Sequence, residues 1–258
     1  MDKRPMALVT GASSGFGEEI ARILAQEGFD LLLVARREER LQALKRELEG
    51  SCGIEAWVLP VDLSSEDAAL DVYDYVLSRG LHVDALVNNA GFGSSGAFHE
   101  ADWQRQRDMV QVNVIVLMQL TRLFVPHMVE RGTGMVMNLA SAAALCPGPY
   151  MSVYYASKAY VLSFSEALHE ELAGTGVTVT ALCPGPTATG FESAAAMGDN
   201  STMFRHADTP AMIARNGCKA MFKGKAVCLQ GAITKRLAVG VRIAPRFLVR
   251  KLAARMNR

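Results

Sequence analysis

The chain has 258 residues, half of them hydrophobic and 21% charged, which suits one large α/β domain with a sizeable core and excludes a disordered or fibrous composition. A formal net charge of +1 gives no electrostatic case for nucleic acid, but the charge is uneven. Twelve of the 27 Lys and Arg and none of the 26 Asp and Glu follow Asp208, so a basic tail is joined to an acidic body.

Short apolar runs alternate with amphipathic stretches from the start, the pattern of a parallel sheet flanked by helices. Met6 to Val9 reads as a first strand, followed by a glycine-rich turn and a helix from about Gly17 to Glu27 that Gly28 stops. Leu31 to Ala35 is a second strand. Leu41, Leu44 and Leu48 then recur at helical spacing within Glu38 to Glu49, with Gly50 after the end. Ala56 to Val61 is a third strand, the run Ser64 to Asp67 an N-cap with first-turn acids, and Val83 to Val87 a fourth strand. One long helical pattern covers Asp102 to about Arg131, with a bend expected near Pro126. Met135 to Leu139, a helix from Val153 to Ala173, Val177 to Leu182 and a short seventh strand at Ala226 to Leu229 complete the alternation. It predicts a single doubly wound parallel sheet over residues 1–258, with helices on both faces and ligands at the carboxyl ends of the strands.

The residues just after those strands are the distinctive ones. Thr10-Gly11-Ala12-Ser13-Ser14-Gly15-Phe16-Gly17 sets three glycines where a backbone must turn tightly and approach a pyrophosphate at a helix N-terminus, although the spacing is not G-x-G-x-x-G. Arg36 and Arg37 follow the second strand, where a carboxylate would favour NAD and a guanidinium pairs with the 2′-phosphate of NADP; Arg36 ranks ahead of Arg37, which equally well begins a solvated helix. Asp62, after the third strand, either reaches an adenine edge or caps a helix.

These motifs, together with Asn88-Asn89-Ala90-Gly91, Tyr154-Tyr155-Ala156-Ser157-Lys158 and Pro184-Gly185, resemble the short-chain dehydrogenase/reductase family over roughly residues 5–190. The resemblance implies a Rossmann-like, NADP(H)-dependent enzyme that moves a hydride between nicotinamide and a carbonyl or secondary alcohol. It assigns catalysis to Asn113, Ser141, Tyr154 and Lys158. It also carries cofactor contacts onto Thr10, Gly11, Ser13, Ser14, Gly15, Phe16, Gly17, Arg36, Arg37, Asp62, Leu63, Asn89, Ala90, Gly91, Tyr154, Lys158, Pro184, Gly185, Thr187 and Thr189. Tyr154 and Lys158 stand one helical turn apart, so a nearby ammonium is expected to bring the phenol pKa down from its ordinary value of ~10. Tyr155 is out of register with Lys158 and reads as packing. A catalytically silent dinucleotide sensor or scaffold is the alternative, and the complete tetrad argues against it.

Other segments carry weaker signals. Residues 186–209, with Met197 and Met203, read as a substrate lid, and residues 232–258 as a basic amphipathic extension. That extension either lies on a membrane surface or, ranked slightly higher, packs on the acidic body or a partner subunit. The histidines His82, His99, His127, His169 and His206 lack metal spacing. The cysteines Cys52, Cys146, Cys183, Cys218 and Cys228 are odd in number and without a C-x-x-C pair, against a disulfide framework or zinc site and in favour of a reducing cytoplasm. The apolar run at Met6 is too short for an export signal, and no uncharged apolar run reaches the ~18 residues of a membrane span. A homo-oligomer paired through the long helices and a small-molecule carbonyl or alcohol substrate complete the expectations.

Overall fold

The computed structural model describes residues 4–185, 187 and 209–257. Seven strands, β1 (Met6–Thr10), β2 (Asp30–Ala35), β3 (Ala56–Pro60), β4 (Ala85–Asn88), β5 (Gly134–Leu139), β6 (Val177–Cys183) and β7 (Val227–Leu229), form one sheet in the order β3-β2-β1-β4-β5-β6-β7. Every neighbouring pair is parallel. Strand order reverses beside β1, which pairs with both β2 and β4, so the loops after β1 and β4 flank a crevice at their carboxyl ends.

Alternation along β1 shows why both faces are covered. Ala7 and Val9 point into a core with Ile20 and Leu24 of α1 (Gly15–Gln26), Leu41, Leu44 and Leu48 of α2 (Glu38–Cys52), and further residues from the late helix α6 (Pro210–Phe222). Met6 and Leu8 point the other way, to Val72 and Val76 of α3 (Ala68–Ser78) and to Leu120, Phe124 and Met128 of α4 (Trp103–Arg131). The helix α5 (Ser152–Glu171) follows β5 and carries Tyr154 and Lys158. Helix α4 is apolar enough over eighteen residues, with mean hydropathy 1.5, to meet the length and composition of a membrane span. Its buried stripe lies on the sheet, which accounts for that composition.

Several boundaries differ from expectation. Helix α2 runs through Gly50 and ends at Gly53, whose φ of 64° supplies the left-handed cap. Ser64 belongs to a turn closed by Asp62, and α3 starts only at Ala68. In α4, Gln111–Val116 is wound as a π-helix, a feature the sequence did not signal, and Pro126 lies inside the helix. The extension is two helices, α7 (Ala232–Ile243) and α8 (Arg246–Met256), broken where Ala244 and Pro245 are extended.

Candidate active site

Two strand-end loops are tied together on the cofactor side of the crevice. Thr10 Oγ1 accepts from the backbone N–H groups of Asn89 and Ala90, each at 3.0 Å, and Asn89 Nδ2 donates to Thr10 O at 2.8 Å. A Cβ on Gly17 would stand 2.4 Å from Asn89 Nδ2 and from Gly11 O, so glycine is required where the first turn of α1 slides under the loops. Thr10 and Asn89 therefore hold the cradle's shape with their side chains.

Arg37 crosses the glycine loop. Its guanidinium donates to Ser13 Oγ at 3.0 Å, Ser13 O at 3.3 Å and Ser14 Oγ at 2.8 Å. Ser14 occupies the N-cap position of α1 but makes no side-chain cap bond, so the first-turn N–H groups lack a side-chain acceptor while a cation lies beside them. That combination, with glycines allowing close approach, fits a dinucleotide whose pyrophosphate and 2′-phosphate are both anionic. Burial, then the charges of Arg40 and Arg36, lowers the Arg37 pKa. Arg36, ranked first by sequence, and Arg37 are both exposed; the arginine attached to the loop is Arg37. Burial raises the Asp62 pKa, but two hydrogen bonds from Ser64 and the Arg36 charge outweigh it and hold the carboxyl below its ordinary range. Leu63 beside it is buried.

The four residues expected to carry catalysis lie on α4, α5 and the turn after β5. Asn113, fully buried in the π-helical turn, donates to Phe92 O at 3.0 Å and to Ser157 Oγ at 3.1 Å, and accepts from Phe92 N at 3.1 Å. Ser157 in turn donates to Tyr154 O at 2.7 Å. Ser157 was not singled out in the sequence; the signal available was its place three residues after Tyr154 and one before Lys158. Lys158, 4% exposed, donates to Leu139 O at 2.6 Å. Ser141 begins the turn after β5, and its hydroxyl hydrogen-bonds the Tyr154 phenol.

The protonation pattern departs from expectation. Burial pushes the Tyr154 pKa up to about 12, with the Ser141 hydrogen bond acting in the opposite sense, and burial lowers Lys158 to about 8. Desolvation disfavours both charged forms, so the expected lowering of the phenol by the ammonium is absent from this arrangement. Tyr155 points elsewhere, its hydroxyl donating to Asn257 Oδ1 at 3.2 Å. Burial raises the thiols of Cys146 and Cys183, as expected of wall residues. Pro184 and Gly185 follow β6, and Thr187 is buried with its hydroxyl on Gly185 O at 3.0 Å. Thr189, and the proposed lid apart from Thr187 and Thr209, lie outside the described residues.

A glycine-lined crevice at a sheet's switch point, with half-buried Ser141 and buried Tyr154 and Lys158 beside it, has the layout of a dinucleotide-dependent oxidoreductase. A model of the short chain dehydrogenases matches residues 5–199, and the chain belongs to this family, whose members bind a nicotinamide cofactor and act on CH–OH or C=O groups. The very-long-chain 3-oxoacyl-CoA reductase of Anas platyrhynchos is 34% identical over 184 residues, covering 69% of this chain and 58% of the relative, so less than two thirds of that longer protein is represented. Sulfoacetaldehyde reductase 2 of Chromohalobacter salexigens is 38% identical over 201 residues, covering 76% of this chain and 78% of the relative. A solved short-chain dehydrogenase of Sphingobium yanoikuyae in complex with NADPH superposes with a TM-score of 0.82 at 29% identity, over 92% of this chain and 93% of that one.

Proposed function

We propose that the chain is an NADP(H)-dependent carbonyl reductase in which Tyr154 gives the proton. The observation that carries this is the Ser141–Tyr154 hydrogen bond set one helical turn from buried Lys158. The names of the two curated relatives, both reductases, support the direction, and the Arg37 clasp supports the 2′-phosphate.

Arg37, Ser13 and Ser14 would hold the 2′-phosphate, the Gly11 to Gly17 turn the pyrophosphate, Lys158 the ribose hydroxyls and Thr187 the carboxamide. When bound, the nicotinamide supplies the hydride. Ser141 orients the carbonyl oxygen, and Tyr154, fully protonated at neutral pH with a pKa of about 12, delivers the proton. The same burial makes a phenolate costly, which favours Tyr154 as the proton donor in the reduction direction. Asn113 keeps the Tyr154 turn in register through Ser157.

A groove of ≈370 Å³ lined by Val110 and Val114 of α4 and Val153, Ala156 and Tyr160 of α5 supports pairing of two copies through these helices; sedimentation equilibrium tests it. The free cysteines support a reducing, cytoplasmic setting. The activity is tested by following NADPH oxidation with a panel of carbonyl compounds. Tyr154→Phe should lose about 10²–10⁴ in rate while NADPH still binds, and Tyr155→Phe should stay active. Tight NADPH binding without turnover of any carbonyl would move the assignment to a dinucleotide sensor.

A further inference from the structure

The two C-terminal helices have one face on the body and one face outward. Inward, Thr234 of α7 is 1% exposed and its hydroxyl would lie 2.9 Å from a Cβ on Gly185. Ala253 of α8 is buried, and Asn257, just after it, donates to Pro149 O at 3.0 Å and accepts from Tyr155. Both attachments are on segments next to Ser141 and Tyr154. They use small and neutral polar residues: among the described residues, no Lys or Arg of 232–257 makes an ion pair with the acidic body. The charge complementarity expected between tail and body is therefore not what attaches it.

Outward, α7 and α8 show Ile243 (80% exposed), Leu252 (58%), Val239, Phe247 and Leu248. Exposed Lys235, Arg236, Arg242, Arg250, Lys251 and Arg255 alternate with them, and no acid occurs in this stretch. Each large apolar side chain thus has a cation within a turn. A protein–protein interface gathers a charge-depleted apolar centre with charge at the rim. Interspersion suits the bilayer interface instead, where aliphatic stems lie along acyl chains while their charged ends reach anionic headgroups.

We propose that the outer face of α7 and α8 docks the protein on anionic lipid bilayers, with Ile243, Phe247, Leu248 and Leu252 entering the interface and the flanking cations meeting the headgroups. Attraction of this kind is worth about 1 kcal/mol for each Lys or Arg near the surface and is screened by salt. A double charge reversal should therefore weaken binding by about thirtyfold or more.

The test is flotation of the full chain with vesicles of phosphatidylcholine alone or mixed with phosphatidylglycerol, at low and high salt. The protein should float with the mixed vesicles at low salt and remain behind with the neutral ones. Lys251→Glu/Arg255→Glu should abolish flotation, and Ile243→Ser/Leu252→Ser should weaken it even at low salt. Circular dichroism and NADPH binding should be unchanged in both variants, since these side chains face outward. Absence of flotation with anionic vesicles at low salt overturns the proposal, as does equal flotation with neutral vesicles. Loss of a solution dimer in the same variants, read by sedimentation velocity, overturns it in favour of a second copy of the chain.

Discussion

Asn113 Oδ1 lies 2.9 Å from the point a Cβ on Gly91 would occupy, and Lys158 Nζ lies 3.3 Å from it. The glycine after β4 thus lets its loop press on two residues of the tetrad at once. Gly91→Ala should move Asn113 and Lys158 by a few tenths of an ångström and leave the sheet intact. Overpacking costs about 1–3 kcal/mol, and misplacement of this size should cut kcat/KM by about tenfold to a hundredfold. Steady-state kinetics beside a melting curve decides: loss of folding with activity per folded molecule retained would contradict a positioning role.

Cofactor choice should follow Arg37. Both arginines are exposed, but four hydrogen bonds to Ser13 and Ser14 fix the Arg37 guanidinium over the glycine-rich turn. A hydrogen bond to a charged group is worth ~1.5–3 kcal/mol, so Arg37→Ala should reduce the NADPH over NADH preference by about tenfold to a hundredfold. Arg36→Ala should have a smaller effect. The ratio of kcat/KM for the two cofactors measures both, and an unchanged ratio in Arg37→Ala would remove the assignment.

A buried polar chain beneath the site should be cooperative. Asn88 Nδ2 donates to Asn138 Oδ1 at 2.9 Å and to Thr121 Oγ1 at 3.1 Å, and Asn138 Nδ2 donates to Ser165 Oγ at 2.9 Å, linking β4, β5, α4 and α5. Asn138 is fully buried. Asn138→Ala should cost about 2–3 kcal/mol through unmatched partners and a small cavity. In a double-mutant cycle with Asn88→Ala by denaturant unfolding, the combined loss should fall short of the sum. Strict additivity would mean the chain carries no coupling.

Much of the frame was legible because its signals are local. Apolar strand runs, glycines at backbone approaches and the i, i+4 spacing of Tyr154 and Lys158 follow from short-range geometry. What was not legible depends on partners distant in sequence. That Arg37 clasps the glycine loop depends on Ser13 and Ser14, more than twenty residues earlier, which meet it across the β1–β2 pair. Gly50 did not end α2, since Gly53 supplies the left-handed turn there. The Tyr154 pKa moved opposite to expectation because helix spacing reveals proximity but not burial, and burial is the larger effect. The tail's two faces likewise became distinguishable only once Thr234 and Asn257 were seen to reach the body.

Lys158 should trade stability for function. Its ammonium is buried, and its pKa is lowered from 10.5 to about 8. Between those values the unfolded chain holds a proton that the folded chain has released, so this group's contribution to stability rises with pH there. Below about 8 the folded protein carries the buried charge and bears its full desolvation cost, on the order of 3 kcal/mol for a shift of this size. Lys158→Met keeps the length and removes the charge, at the loss of the bond to Leu139 O, which is worth about 1 kcal/mol. The variant should therefore melt a few degrees higher at neutral pH, and the gain should shrink as pH rises toward 10. Function should move the other way. Because the ammonium is assigned to the ribose hydroxyls, NADPH binding by the unsubstituted protein should weaken as pH rises through about 8. Lys158→Met should bind more weakly throughout and lose that step, with turnover falling by at least about 10². Fluorescence titration of NADPH across pH, beside thermal melts of both proteins, reads the two effects separately. A variant that melts lower at neutral pH would show that hydrogen bonding outweighs desolvation at this lysine, and a pH step that persists in the variant would assign the titration to another group.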